Sequence, residues 1–235
     1  RTPMNAILGY AQLMEDELKE KDLPEISEYL KKLQQSGNLL LSIINNVLDM
    51  ARIESGKVKV DENYESAGEV VDEIISTFAS EAEERGIHLS GSMKVTHRNI
   101  LCDGTKIREI YVNLVSNAIK YTPRGGNVTI TVEELPCEKE GYMKVKSEIK
   151  DTGIGMSKEY LPTLFEPFSR EQNTTTGRVG GTGLGMPIVK KMVDLMGGSL
   201  EVESEPGKGT IFTFTLMHKI ADKKYYSQRI EKVKT

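Results

Sequence analysis

Apolar residues step by three and four from the start of the chain. Met4, Ile7, Leu8, Ala11, Met14 and Leu18 predict an amphipathic helix over 4–20. Pro3 suits its first turn, or a kink if the helix continues upstream. Lys21-Asp-Leu-Pro24 reads as a turn. A longer helix is predicted over 25–53, where Ile26, Leu30, Leu33, Gly37, Leu40, Ile44, Val47 and Ala51 form a heptad seam. Gly56 is a candidate C-cap.

Two such helices make a hairpin with one apolar stripe each. Alone it cannot bury both stripes, whereas two hairpins make a four-helix bundle. A homodimer through the hairpin is therefore expected, the alternative being that the stripes pack on the rest of their own chain.

The pattern changes after 57–63. A helix is predicted over 66–85, with Val70, Val71, Ile74, Ile75, Phe78 and Ala82 on one side. Short strands follow at 87–93 and 99–102, then a helix over 105–121. Alternation over 127–135 and 142–150 predicts a hairpin pair. A helix over 183–196 precedes a last hairpin, 199–204 with 209–216, around Pro206-Gly-Lys-Gly209. The fold class read from this is an all-α helical hairpin followed by an α/β two-layer sandwich with a mixed sheet. The expected domains are 1–56, 57–217 and a basic linker or tail, 218–235.

Composition changes this picture little. The 235 residues are 28% charged and 38% hydrophobic, with a net charge of -4, which gives no reason to expect nucleic-acid binding. No segment reads as a membrane span or a signal peptide. The chain opens on Arg1 and reads as a cytoplasmic piece of a longer protein that could carry a membrane anchor. Cys102 and Cys137 have no zinc-like spacing and read as buried or half-buried thiols. His88, His97 and His218 are scattered.

The candidate chemistry lies in three segments. In Asn113-Leu-Val-Ser-Asn117-Ala-Ile-Lys120-Tyr121, the two asparagines are one turn apart and Lys120 joins their side. Amide oxygens suit Mg²⁺, and Lys120 suits phosphate as a mobile charge. By themselves two helical asparagines are ordinary surface amides. In Asp151-Thr-Gly153-Ile-Gly155-Met156, a carboxylate at a strand end could accept from an adenine amino group while the glycines let backbone approach. An Asp-Gly turn is the plainer reading.

In Gly180-Gly181-Thr182-Gly183-Leu184-Gly185-Met186, glycines precede a helix and could turn N–H groups toward an anion. Neither a Walker A loop nor a Rossmann fingerprint is present. Between the glycine segments, Phe165-Glu-Pro-Phe168 leads into a polar run ending at Gly177. That run reads as a lid based on the phenylalanines, with Arg170 and Arg178 either candidate phosphate contacts or ordinary surface arginines.

In this order the motifs resemble the ATP-binding domain of sensor histidine kinases, of the Bergerat type shared with gyrase B, Hsp90 and MutL. Asn113–Tyr121 resembles the N box, Asp151–Gly155 the G1 box, Phe165–Phe168 the F box and Gly181–Gly185 the G2 box. Gly207-Lys-Gly-Thr210 resembles the closing segment that holds the adenine end.

The resemblance implies ATP as substrate, ADP as product and Mg²⁺ as the metal. Asn117, helped by Asn113, would hold the metal, Lys120 would meet phosphate, Tyr121 would pack near the nucleotide and Asp151 would read adenine. Gyrase-like relatives carry a base glutamate where Asn113 stands, and Asn113 cannot take a proton from water. Glu109, one turn away, is the nearest competing base.

Arg1-Thr2-Pro3 resembles the end of a phosphoacceptor motif whose histidine would lie three residues before Arg1. The piece as it stands should not autophosphorylate. Thr2 could position water for dephosphorylation of a partner, or cap the helix before Pro3. The implied partners are a second copy of the hairpin, an upstream sensor domain and a response-regulator receiver domain.

The function expected is an ATP-dependent protein-histidine kinase core of a two-component signalling protein, with a phosphatase role open to it. The alternative is a nucleotide-binding, partner-docking module without turnover. A gyrase- or Hsp90-like ATPase is disfavoured by Asn113 and by the heptad hairpin.

Overall fold

The computed structural model describes residues 2–19, 24–56, 59–171 and 182–221. The chain divides into two compact units, Arg1–Val58 and Lys59–Thr235.

The first unit is the predicted hairpin. Helix α1 spans Thr2–Lys19 and α2 spans Pro24–Glu54. Pro24 opens α2, where its missing N–H costs nothing. The two helices pack on each other. Ala11, Leu30 and Gly37 are buried, and Gln34 donates to the Gln12 side chain at 3.1 Å. Leu8, Leu41, Ile43 and Ile44 are half-buried, and other apolar side chains among the described residues are left outside. Ile7, Leu13 and Met14 of α1 and Leu33, Leu40 and Val47 of α2 are all more than 40% exposed.

The second unit has helices against a seven-stranded sheet. Its elements are β1 (Asn63–Ser66), α3 (Ala67–Arg85), β2 (His88–Lys94), β3 (Asn99–Cys102), α4 (Gly104–Tyr121), β4 (Asn127–Leu135) and β5 (Tyr142–Asp151). After these come a single 3₁₀ turn at Leu161–Thr163, α5 (Gly185–Leu195), β6 (Ser199–Glu205) and β7 (Gly209–Ile220). The sheet order is β1-β3-β7-β5-β4-β2, with β6 also pairing β7. β2 and β4 are parallel and the other pairs antiparallel, so the sheet is mixed as expected.

The core lies between the helices and one sheet face. Ile110, Leu114, Val115 and Ile119 of α4 and Ile188, Val189 and Val193 of α5 are buried with Val128, Ile130, Ile149 and Phe214. Strands β5 and β7 alternate buried and more exposed positions, the period that a one-sided sheet demands.

Two details position the site. Helix α3 ends in a Schellman closure: Gly86 sits at φ 66 and donates to Glu83, and Ile87 donates to Ala82. Helix α4 starts at Asp103, whose buried carboxylate caps Lys106 N–H at 3.1 Å and also accepts from Asp61 N–H.

The last strand runs to Ile220, past its expected end at 216 and past the expected domain end at 217. His218 lies opposite Met143 and Ile220 opposite Ile100, and both His218 and Ala221 are buried. Residues 218–221 thus belong to the sheet end, and the rest of the expected tail lies outside the described residues.

Among the described residues, no helix is long and apolar enough to cross a membrane. Cys102 is buried and Cys137 half-buried, both free. No group of three or more His, Cys, Asp or Glu side chains there could hold a metal.

Candidate nucleotide site

The site is assembled where the end of β5, the last turns of α4 and the β6–β7 turn meet. Asp151 is the final residue of β5 and is 7% exposed. Its Oδ1 accepts from Gly153 N–H at 2.8 Å and from Thr210 N–H at 3.2 Å. Burial raises its pKa, and the two backbone donors pull the other way without cancelling it. A carboxylate so placed is ready to accept a further donor.

The loop after Asp151 is held from both sides. Ile154 N–H donates to the Tyr121 carbonyl at 3.2 Å, and Gly207 N–H donates to the Ile154 carbonyl at 2.8 Å. Two glycines make this closeness possible. At Gly155, with φ 66, a side chain would run into the Glu205 carbonyl. At Gly209, with φ 97, it would run into the Asp151 carbonyl. Ser204 ties the same junction: its hydroxyl accepts from Met156 N–H at 2.9 Å, donates to the Gly209 carbonyl and lies 2.9 Å from Thr210 Oγ1. Thr210 therefore serves Asp151 through its backbone, while its hydroxyl is engaged by Ser204.

Helix α4 presents the amides. Asn113 Nδ2 donates to the Glu109 carbonyl at 2.8 Å, which turns Oδ1 away from its own helix. That oxygen stands 2.8 Å from where a Cβ on Gly185 would be. The amide expected to help a metal thus abuts the last glycine of the second glycine segment. Asn117 is half-buried, and its side chain makes no hydrogen bond among the described residues. Oxygens of this kind, neutral and uncommitted, fit Mg²⁺.

Lys120 Nζ lies 4.9 Å from the centroid of the Tyr121 ring. Burial lowers the Lys120 pKa, and the positive charges of Arg170 and Arg85 lower it further. Tyr121 is half-buried, and burial raises its phenol against the pull of Arg170.

One backbone bond joins the residues that flank the expected lid, and a second ties its first residues to the loop after β5. Phe168 N–H donates to the Gly183 carbonyl at 3.0 Å, and Ser157 N–H donates to Glu171 Oε1 at 3.0 Å. The two phenylalanines do not anchor this base by burial. Phe168 is 63% exposed at φ 63, Phe165 is half-buried, and Leu164 takes the buried position. Thr182 Oγ1 accepts from Leu184 N–H at 3.2 Å, and buried Leu184 leads into α5 at Gly185. Gly181, Arg178 and residues 172–177 lie outside the described residues. For Thr2 only the backbone is described, in the first turn of α1.

The structure therefore brings Asn113, Gly185, Lys120, Tyr121, Asp151, Gly153, Gly155 and Thr210 to one region. The sequence reading missed Ser204, and it held Gly209 only as part of the closing segment, without a role at Asp151. Ser204 lies opposite Thr210 in the β6–β7 register, a link visible only once the hairpin is closed.

Two family models match in chain order. The histidine kinase A phosphoacceptor domain covers residues 1–56. The histidine kinase-, DNA gyrase B- and HSP90-like ATPase covers residues 102–220, half of the chain. The autoinducer 2 sensor kinase/phosphatase LuxQ of Vibrio parahaemolyticus is 36% identical over 218 residues, 92% of this chain and 25% of LuxQ. The signal transduction histidine-protein kinase BarA of Escherichia coli is 34% identical over 215 residues, 91% of this chain and 23% of BarA.

The chain thus spans about a quarter of the length of these curated relatives. The crystal structure of full-length ShkA in complex with AMPPNP superposes with a TM-score of 0.75 at 30% identity, over 94% of this chain and 44% of that one. Both family models follow the division into two folded units, and the chain belongs to the sensor histidine kinases, of which it carries the catalytic core.

Proposed function

We propose that the second unit binds ATP and that the intact protein uses it to phosphorylate a histidine on the helical unit. The phosphoryl group then passes to an aspartate of a response-regulator receiver domain. The observation that carries this reading is Asp151. A buried carboxylate with both backbone donors on one oxygen stands beside the Asn113 and Lys120 end of α4. That is the donor–acceptor set an adenine nucleotide needs. The match to a structure solved with AMPPNP supports it.

Each residue has a role in this reading. Asp151 accepts from the adenine amino group, a charge-assisted bond of about 1.5–3 kcal/mol in a shielded site. Thr210 and Gly153 orient the carboxylate. Lys120 places a half-desolvated cation against the phosphates, where the absence of bulk water strengthens its field. Gly183, Leu184 and Gly185 bring backbone to the start of α5, and Thr182 holds the turn.

Asn117 and Asn113 would hold Mg²⁺, which would neutralise charge on the phosphate oxygens. In the transfer, the bond from the γ-phosphorus to the bridging oxygen breaks, ADP leaves and a nitrogen–phosphorus bond forms. The protein's part is positioning and charge compensation. With an amide rather than a carboxylate at 113, α4 offers no general base there for water.

The helical unit supplies the dimer in this reading. Its exposed seam matches the surface a second hairpin would cover. Thr2 would stand near the transferred group and could orient water for a phosphatase reaction. An upstream sensor domain and Mg²⁺ complete the proposal.

Calorimetry of ATP and ADP binding, with and without Mg²⁺, tests it for the wild type and Asp151→Asn. Magnesium-dependent binding that weakens at least tenfold, about 1.4 kcal/mol, in the variant is expected. A folded chain that binds neither nucleotide would sink the reading and leave partner docking without turnover as the better account.

A further inference from the structure

Lys120 is a cation with an unbalanced environment. It is half-buried, and among the described residues no carboxylate pairs with it. The charges that act on it are instead of its own sign, Arg170 and Arg85. Arg170 leads toward the lid from the F-box side. Arg85 comes from elsewhere, the last turn of α3, outside every motif of the sequence.

The backbone explains how Arg85 reaches this place. The turn that closes α3 and the turn that follows α4 are bonded together. Gly125 N–H donates to the Gly86 carbonyl at 2.7 Å, and His88 N–H donates to the Gly126 carbonyl at 2.9 Å. Arg124 packs against Gly86, its Cγ 2.9 Å from where a Cβ would stand. The C-terminal turns of α3 and α4 are thereby held side by side, with Lys120 on one and Arg85 on the other. Arg85 Nε pairs with Glu81 Oε1 at 3.2 Å, one helical turn back, and both side chains are nearly half exposed. Such an exposed pair is weak, and Glu81 is not among the charges that act on Lys120.

A folded protein rarely gathers cations around a half-desolvated lysine unless an anion completes the group. We propose that Arg85 is a positioning residue for the phosphate end of the nucleotide, acting through Lys120. Arg85 and Arg170 hold Lys120 in a positive field that favours a more highly charged ligand, so α3 contributes to reading phosphate number. The inference rests on the nucleotide reading above. It adds a residue from an element none of the boxes includes.

The test compares ATP, ADP and adenosine binding to the whole chain for wild type, Arg85→Gln and Arg85→Lys. One charge at this range is worth about fivefold in affinity for a triphosphate. Arg85→Gln is therefore expected to weaken ATP about fivefold, ADP less, and adenosine within about twofold. Arg85→Lys should keep ATP within about twofold of wild type, and added salt should shrink the difference between wild type and Arg85→Gln.

An equal loss for all three ligands would overturn the proposal, because it would mark a structural role at the end of α3. Unchanged ATP affinity with only a lower melting temperature would do the same, showing that Arg85 merely complements the helix dipole. A folded wild type that binds none of the three ligands removes the nucleotide reading itself. Binding by wild type with no discrimination by Arg85→Gln removes only this inference.

Discussion

Asp151 sets recognition against stability. Burial raises its pKa, so the folded state prefers the protonated form more than the unfolded chain does. Its contribution to stability is complete below the ordinary carboxylate range and falls as pH rises through the folded pKa. At neutral pH the folded domain thus carries a desolvated charge. Asparagine would keep the Oδ1 that accepts from Gly153 and Thr210 and would remove that charge. Asp151→Asn is therefore expected to melt a few degrees higher than wild type at neutral pH without nucleotide, where about 1 kcal/mol corresponds to 2–4 °C. The gain should vanish in acid, where both side chains are neutral. Thermal unfolding across pH checks this, and a variant less stable at neutral pH would mean that the charge is compensated in the apo protein.

The elements carry the second tension. The hairpin of α1 and α2 buries Ala11, Leu30 and Gly37 but leaves Leu33, Leu40 and Val47 outside. If a second copy covers that seam, Leu40→Glu places two like charges in a bundle core. Losing the burial of Leu40 costs roughly 1.5–3 kcal/mol per copy, so the dissociation constant should rise at least about a hundredfold. Sizing or sedimentation at micromolar concentration would then find monomer for Leu40→Glu and dimer for wild type. A wild type that is monomeric there would end the bundle reading.

The hairpin was legible in sequence because its heptad spacing is unbroken over seven turns. The motifs were legible because Asn113, Asp151 and Gly185 carry chemistry in their identity and spacing. What stayed hidden came from pairing. β1, Asn-Tyr-Glu-Ser, has no apolar alternation and is a strand only because it lies along β3. The end of β7 was obscured by His218, a polar residue at a buried position. Ser204 meets Thr210 through hairpin register, and turn docking sets the C-terminal end of α3, with Arg85, beside that of α4, with Lys120. Neither leaves a periodic trace.

At the scale of the whole chain, the two units differ in how acid reaches them. All three histidines lie in the second unit, and none lies in the hairpin. His218 sits on β7, which pairs with β3, β5 and β6 and so ties much of the sheet together. It is 7% exposed and lines a cavity of about 30 Å³ with Cys102, Tyr111 and Ser147. Tyr111 donates to Ser147 at 2.7 Å.

Burial pushes the His218 imidazole down from 6.5 to about 4. A base depressed in the folded state contributes stability that is complete above 6.5 and is lost as pH falls toward 4, because the unfolded chain takes up the proton first. Full loss would approach about 3 kcal/mol, a large share of a domain's stability. His218→Leu continues the inward apolar row of Phe212, Phe214 and Leu216 and removes this term. Urea unfolding between pH 7 and 4 should show wild type losing stability faster than His218→Leu in the ATP-binding unit alone, with the hairpin's helical signal unchanged by the substitution. Equal slopes for the two proteins would place the acid sensitivity in the carboxylates instead.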